Sequence, residues 1–193
     1  MARNVEFDRE SAVKKAMNVF WEKGYNGTSM QDLVDAMQIN RSSLYNTIGD
    51  KHKLFLECVA SYVKDMMDES MEKANKAESP LQALINIIND KATWIVDCEN
   101  GCLGVKTIFE IAPTDEEVRK MLCKNNDFYM NFLSKIIQKA MDNGQIDASE
   151  DPVLMAEYIM MSFTGWKQAY ILHSNPIKIK KMSEYLIKSI THH

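Results

Sequence analysis

Apolar residues recur with a helical period along almost the whole chain. Between residues 8 and 23, apolar pairs at positions 12 and 13, 16 and 17, and 19 and 20 follow one stripe. This spacing is typical of a helix that buries one face. We find no two-residue alternation bounded by turns, so strands are not expected. The pattern therefore predicts an all-α protein.

Capping and breaking residues divide this pattern into three short helices followed by about six longer ones. Asp8, Asn40 and Asp50 are typical N-caps, and Gly24 and Gly49 are typical of helix ends. Later starts are predicted at Ser79-Pro80, Thr114-x-x-Glu117 (a capping box), Asp151-Pro152 and Asn175-Pro176. The predicted helices cover about 8–23, 30–37, 40–48, 51–76, 81–97, 102–111, 114–142, 152–172 and 176–190.

The second and third short helices, joined by a tight connection at 38–40, indicate a helix-turn-helix over about 29–48. In the third helix Leu44 and Ile48 lie four residues apart and are expected to face inward. The outer face and its flanks are polar and can offer hydrogen bonds to base edges or phosphates. These candidate DNA-binding residues are Arg41, Ser42, Ser43, Tyr45 and Asn46.

Overall charge does not support DNA binding. The net charge is −4, whereas a protein that binds nucleic acid through bulk charge is usually basic. Two helix starts could instead offer free backbone amides and a positive dipole end to phosphates. One start lies at Thr28-Ser29, and the other is opened by Lys51, His52 and Lys53.

The run from Gly24 to Phe55 resembles the DNA-binding domain of TetR-type repressors. The matching segments are Gly24-Tyr25-Asn26-Gly27-Thr28-Ser29-Met30, Leu33-Val34-Asp35-Ala36-Met37, Ser43-Leu44-Tyr45, Lys51 and Leu54-Phe55. The resemblance implies a homodimer on a palindromic operator in double-stranded DNA. It also implies phosphate contacts for Thr28, Tyr45 and Lys51. The expected function is transcription regulation, most often repression, with residues 1–53 binding DNA.

The resemblance further implies that residues 54–193 form a domain for ligand sensing and dimerisation. Its last two helices would pair with their copies in a partner through two stripes: Leu154, Tyr158, Met161, Gly165, Ala169 and Leu172, then Ile179, Met182, Leu186 and Ile190. A small apolar inducer would bind among the middle helices. Candidate lining residues are Trp94, Phe109, Phe128, Phe132, Met160, Phe163 and Trp166. Each residue of the two stripes and of this candidate pocket is alternatively a plain core residue.

Cys102 is a candidate sensor of electrophiles or oxidants. It lies at a predicted helix start, a position that favours the reactive thiolate, and Lys106 follows one turn later. The segment 101–118 resembles a branch of the family in which a cysteine at this place is modified. Cys98 could resolve an oxidised Cys102. The alternative is a small buried thiol.

Two other classes of function have weaker support in the sequence. A cysteine- or histidine-based enzyme would need a nucleophile, a base and an orienting group, and Cys102 has no such partner nearby in sequence, so enzymatic activity is not expected. A purely structural helical dimer is the second alternative. The four cysteines and four histidines form no zinc pattern, and no cofactor is predicted. Neither a secretory signal nor a membrane span is visible, which predicts a cytoplasmic protein.

Overall fold

The computed structural model describes residues 8–98 and 100–191. Nine helices and no strands occur in this part of the chain, which confirms the predicted all-α fold. In order, they are α1 (Arg9–Gly27), α2 (Met30–Met37), α3 (Arg41–Thr47), α4 (Lys51–Asn75), α5 (Pro80–Asp97), α6 (Leu103–Glu110), α7 (Glu116–Asp142), α8 (Pro152–His173) and α9 (Pro176–Thr191).

Most helix starts lie where the caps predicted them. The carboxylate of Asp8 accepts the Ser11 amide, and that of Asp50 accepts the Lys53 amide. Ser79 and Asp151 cap α5 and α8, and each of these helices begins with proline. Such caps satisfy amides that have no partner inside the helix.

One predicted boundary was wrong, and another lies at a break inside a longer helix. The long helix α7 begins at Glu116, because Asp115 rather than Thr114 caps it by accepting the Val118 amide over 3.0 Å. The Thr114 hydroxyl instead donates to the carbonyl of Ile111. Helix α1 continues to Gly27, with a break at Gly24 where the backbone takes φ 74° and ψ 169°.

The chain packs as two units. The first comprises residues 8–64 and 102–122, and the second comprises residues 65–98, 100–101 and 123–191. The first unit therefore contains α6 as well as α1, α2, α3 and the first half of α4. The boundary proposed at 53/54 concerns the division between DNA binding and sensing, and it stays a prediction.

The core of the first unit holds the helix-turn-helix in place. Phe20 of α1 packs edge-on against Phe55 of α4, with ring centroids 5.0 Å apart. Leu33 of α2, Leu44 of α3 and Leu54 of α4 are fully buried. Because each short helix contributes a buried anchor, α3 is held by packing rather than by its own helix propensity.

The core of the second unit is built from α5, α7, α8 and α9, with Leu84, Ile88, Leu133 and Ile159 fully buried. Ile179, Leu186 and Ile190 of α9 also belong to this core. The prediction that this α9 stripe contacts a partner subunit was therefore wrong for these three residues. The stripe is amphipathic, and the chain's own α5 and α8 cover it.

Candidate DNA-binding surface

Helix α3 presents the polar face that the sequence predicted. Leu44 is fully buried, whereas Arg41, Ser42, Tyr45 and Asn46 are exposed. The side chain of Ser43, another predicted contact, lies outside the described residues. A buried leucine beneath exposed hydrogen-bonding groups is the arrangement that a recognition helix requires.

Ser29 starts α2 through a capping box with Asp32. The Ser29 hydroxyl accepts the Asp32 amide over 3.1 Å, and the Ser29 amide donates to the Asp32 carboxylate over 2.8 Å. Lys23 also donates to this carboxylate, over 2.6 Å. Together the Lys23 and Ser29 hydrogen bonds hold the pKa of Asp32 well below its usual range. The Ser29 groups are thus already engaged within the chain, and the predicted role of Ser29 in DNA binding stays untested.

Thr28 is only 2% exposed, and its hydroxyl donates to the carbonyl of Gly24 over 2.6 Å. This bond spans the break in α1 and fixes the turn that precedes α2. The phosphate contact predicted for Thr28 stays a prediction. In this conformation the hydroxyl has a structural partner instead.

Lys51, at the first position of α4, lies over an aromatic ring. Its Nζ is 4.4 Å from the ring centroid of Tyr25, a favourable cation–π geometry. The same ring packs against Phe55 with centroids 4.7 Å apart. Burial raises the pKa of the Tyr25 hydroxyl, and the carboxylates of Asp115 and Asp50 raise it further. Tyr25 thus holds the ammonium of Lys51 at the start of α4.

His52, the next residue of α4, lies against α7 within the first unit. Its Nε2 is 2.7 Å from a carboxylate oxygen of Asp115. Because a carboxylate only accepts, the ring nitrogen donates in this bond. His52 belongs to a helix start that was predicted to suit a phosphate, but this hydrogen bond engages its ring with the start of another helix.

The predicted ligand-lining residues lie in different surroundings. Phe163 and Trp166 are buried in the second unit and pack edge-on, with centroids 5.5 Å apart. Trp94 is partly buried beneath the ammonium of Lys91, 4.1 Å from its ring centroid. Phe128 is half-exposed on α7. An open groove of about 770 Å³ lies between α5 and α9, and none of these four residues lines it.

The two candidate sensing cysteines occupy opposite kinds of helix end. Cys102 is the N-cap of α6, is partly exposed, and makes no side-chain capping bond. Cys98 follows the last residue of α5, and its thiol lies 3.6 Å from the carbonyl of Gly101. Lys167 donates to the carbonyls of Ile95 and Cys98 and closes the end of α5.

Tyr25 and Glu110 had no predicted site role. Glu110 accepts two backbone amides at the end of α1, a contact between residues more than 80 positions apart. One feature of the sequence indicated a polar contact on this face of α6. Lys106 and Glu110 lie four residues apart in a helix whose other residues are apolar or have small side chains.

No group of three or more His, Cys, Asp or Glu side chains within residues 8–98 and 100–191 is placed to hold a metal ion. The same part of the chain has no helix long and apolar enough to cross a membrane.

Two family profiles match the chain. Residues 12–58 match bacterial regulatory proteins of the tetR family, and residues 80–186 match the tetracyclin repressor-like C-terminal domain. An uncharacterised helix-turn-helix transcriptional regulator of Bacillus subtilis, YezE, is 30% identical over 165 residues, which cover 84% of this chain and 85% of YezE. The transcriptional repressor DhaR of a Mycobacterium species is 23% identical, with 81% of this chain and 79% of DhaR covered.

Solved structures share the fold. The regulator CifR, carrying three cysteine substitutions and bound to a 26-base-pair operator, is 23% identical with a TM-score of 0.84, covering 97% of this chain and 99% of that one. Reduced NemR of Escherichia coli is 15% identical with a TM-score of 0.85, covering 94% and 95% of the two chains. Together with the exposed polar face of α3, these matches show that the chain belongs to the TetR family of DNA-binding transcription regulators.

Proposed function

We propose that the protein is a repressor that binds a palindromic operator as a homodimer and leaves it when a small apolar ligand binds or a thiol is modified. The observation that carries the proposal is the outer face of α3, where Arg41, Tyr45 and Asn46 are exposed above buried Leu44. The relatives DhaR and ComR are named as transcriptional repressors, which favours repression over activation.

A dimer is favoured by the two apolar faces of α8. One face, including Ile159, Phe163 and Trp166, is buried within the chain. On the opposite face Leu154 is 64% exposed and Met161 is 70% exposed. A helix that is apolar all round is covered on both sides in a stable protein. A second copy of α8 is the cover that we propose.

The spacing along this outer face supports helix pairing. Leu154, Tyr158, Met161, Gly165 and Leu172 follow steps of four, three, four and seven residues, a heptad pattern. A Cβ added at Gly165 would meet nothing within 4 Å inside the chain, so this position leaves room for a partner helix. In the proposed dimer two α3 helices would enter successive major grooves, about 34 Å apart.

Release by an apolar ligand is supported by the composition of the second core. Phe163 and Trp166 pack there, and Trp94 and Met160 lie against the same cluster. Methionine adapts its shape to irregular apolar ligands, and the chain has fourteen methionines. A ligand that fits a rearranged form of this core would favour a dimer whose α3 helices no longer match the operator.

Thiol modification is the second proposed route of release. Cys102 is partly exposed at the start of α6, within the same packing unit as the helix-turn-helix. A group added to its sulfur would occupy space beside Gly104, whose position for a Cβ lies 3.6 Å from that sulfur. Displacement of α6 would then reach the DNA-binding helices.

Binding to the DNA upstream of the protein's own gene tests this proposal. We expect an electrophoretic mobility shift with that fragment, a footprint with two-fold symmetry, and release by an apolar compound or by an electrophile. The absence of sequence-preferring binding would reject repression at this site. A footprint on a single half-site would reject the dimer.

A further inference from the structure

The break in α1 changes the hydrogen-bond partners of the backbone groups on either side of it. In an uninterrupted helix the Tyr25 amide would donate to the Trp21 carbonyl, four residues earlier. At Gly24 the backbone leaves the helical region. The carbonyls at the end of the helix before the break therefore need other donors, and the amides of the turn after it need other acceptors. The bonds made here by the Trp21 carbonyl and the Tyr25 amide are partly buried, and a backbone group shielded from water is costly when left unpaired.

Two side chains of α6 supply both halves of the missing bond. The ammonium of Lys106 donates to the Trp21 carbonyl over 2.8 Å. The carboxylate of Glu110 accepts the Tyr25 amide over 3.2 Å and the Asn26 amide over 2.8 Å. Because Lys106 and Glu110 are four residues apart, they lie on one face of α6. A cation thus lies at the end of one helical segment and an anion at the start of the next.

Two features favour glycine at the break. The φ of 74° at Gly24 is unfavourable for residues with a Cβ. A Cβ built there would also lie 2.9 Å from one carboxylate oxygen of Glu110 and 3.1 Å from the other. The Glu110 carboxylate can therefore approach the break this closely because residue 24 has no Cβ.

The capped turn holds three elements of the DNA-binding surface. The Tyr25 ring supports the ammonium of Lys51. The Thr28 hydroxyl donates to the Gly24 carbonyl, and Ser29 begins α2 directly afterwards. A change in the turn therefore changes the start of α2 and the position of Lys51 together.

We propose that Lys106 and Glu110 are positioning residues for operator binding. They touch no DNA themselves. They hold the break in α1 in the conformation that places α2 and Lys51 against the phosphate backbone. The inference rests on the proposed function, because it needs an operator that the wild-type protein binds.

Operator affinity in Lys106→Met and Glu110→Ala variants tests the inference. The exposed pair Glu116 and Lys120 of α7 has the same four-residue spacing, so Glu116→Ala and Lys120→Met are matched controls. At a temperature where circular dichroism shows every variant folded, we expect the two α6 variants to bind about tenfold more weakly or worse. The controls should bind as the wild type does.

Two readouts separate positioning from a loss of stability. We expect the slope of log affinity against log salt concentration to decrease in magnitude by about one in the α6 variants, as it does when one phosphate contact is lost. The double variant should lose little more than either single variant, because both caps serve one break. Should Glu110→Ala not fold, Glu110→Gln keeps an acceptor oxygen for one of the two amides and permits the same comparison.

Folded α6 variants that bind with wild-type affinity and salt dependence would overturn the inference while leaving the proposed function intact. A wild-type protein that binds no operator would overturn the proposed function, and the inference with it. Hydrogen exchange adds a check without DNA: the Tyr25 and Asn26 amides should exchange faster in Glu110→Ala than in the Glu116→Ala control. Unchanged exchange of these amides would also contradict the capping role.

Discussion

Nε2 of His52 donates to the carboxylate of Asp115 over 2.7 Å and joins the first turn of α4 to the N-cap of α7. The same carboxylate accepts the Val118 amide at the start of α7. One acidic side chain therefore fixes the start of one helix and orients the start of another. Lys51, beside His52, lies at the proposed DNA-binding surface, so this bond contributes to the packing that holds it there.

Asp115→Ala should destabilise the protein at neutral pH by about 1 kcal/mol, the usual cost of a lost N-cap. For a chain of this size, that corresponds to a fall in Tm of about 2–4 °C. The backbone amide of Val118 and the hydrogen bond from His52 lower the pKa of Asp115. A carboxyl with a lowered pKa stabilises the native state above its unfolded pKa, and the effect is lost as the pH falls through the native value.

The difference in Tm between Asp115→Ala and the wild type should therefore shrink below about pH 4, the ordinary range of an aspartate. Melting curves at pH 7 and pH 3 check this, with Asp127→Ala on the exposed side of α7 as a control. A difference that stays constant over this range would show that the Asp115 charge contributes nothing.

Lys51→Met should weaken binding to all DNA sequences by a similar factor. The ammonium lies at a helix start and is held over the Tyr25 ring, which suits a phosphate contact. The slope of log affinity against log salt should fall by about one. Titrations at several salt concentrations measure the slope, with exposed Lys139→Met on α7 as the matched control. An unchanged slope would show that Lys51 does not contact a phosphate.

Met161→Asp should separate the proposed dimer. Met161 is 70% exposed in the single chain, and in a two-fold interface the substitution places two carboxylates against apolar surface. Each unpaired buried group costs about 1–3 kcal/mol. With two such carboxylates in the interface, dimer affinity should fall by a factor of about 30 or more. Sedimentation velocity over a concentration series measures the change. Phe109→Asp, at an exposed apolar residue of α6, should leave the dimer intact, and equal behaviour of both variants would contradict the α8 interface.

Cys102→Ser should make the protein resistant to release from DNA by an electrophile such as N-ethylmaleimide. Cys102 is partly exposed, whereas Cys58 is buried with its thiol pKa raised by burial, so Cys58 should react slowly. Exposed Cys123→Ser is the control and should be released as the wild type is. Mobility shifts with and without the electrophile measure release. Equal release of Cys102→Ser would leave Cys102 with a structural role only.

Much of the fold could be predicted because its signals are local. A cap such as Asp50 and a helix period are both visible within a few residues. The polar face of α3 followed from the inward position of Leu44 alone. The interval between caps also fixed most helix ends to within one or two residues.

Other features could not be predicted because they depend on contacts distant in sequence. Thr28 is buried, and its hydroxyl donates to the Gly24 carbonyl across the break in α1. The Glu110 carboxylate reaches that break from α6, more than 80 residues away. An apolar stripe such as that of Ile179 and Leu186 is equally suited to a partner helix and to the chain's own core. Only packing decides between them.

The preference of α3 for one DNA sequence tests the central claim most directly. Fluorescence anisotropy at fixed salt can compare the fragment upstream of the protein's own gene with a scrambled fragment, for the wild type, an Arg41→Ala/Asn46→Ala variant and the Lys139→Ala control. We predict that the wild type and the control prefer the upstream fragment by about 10³-fold or more. The α3 variant should lose about 10- to 100-fold of that preference. Equal wild-type affinity for both fragments, or an α3 variant that keeps the full preference, would contradict the account.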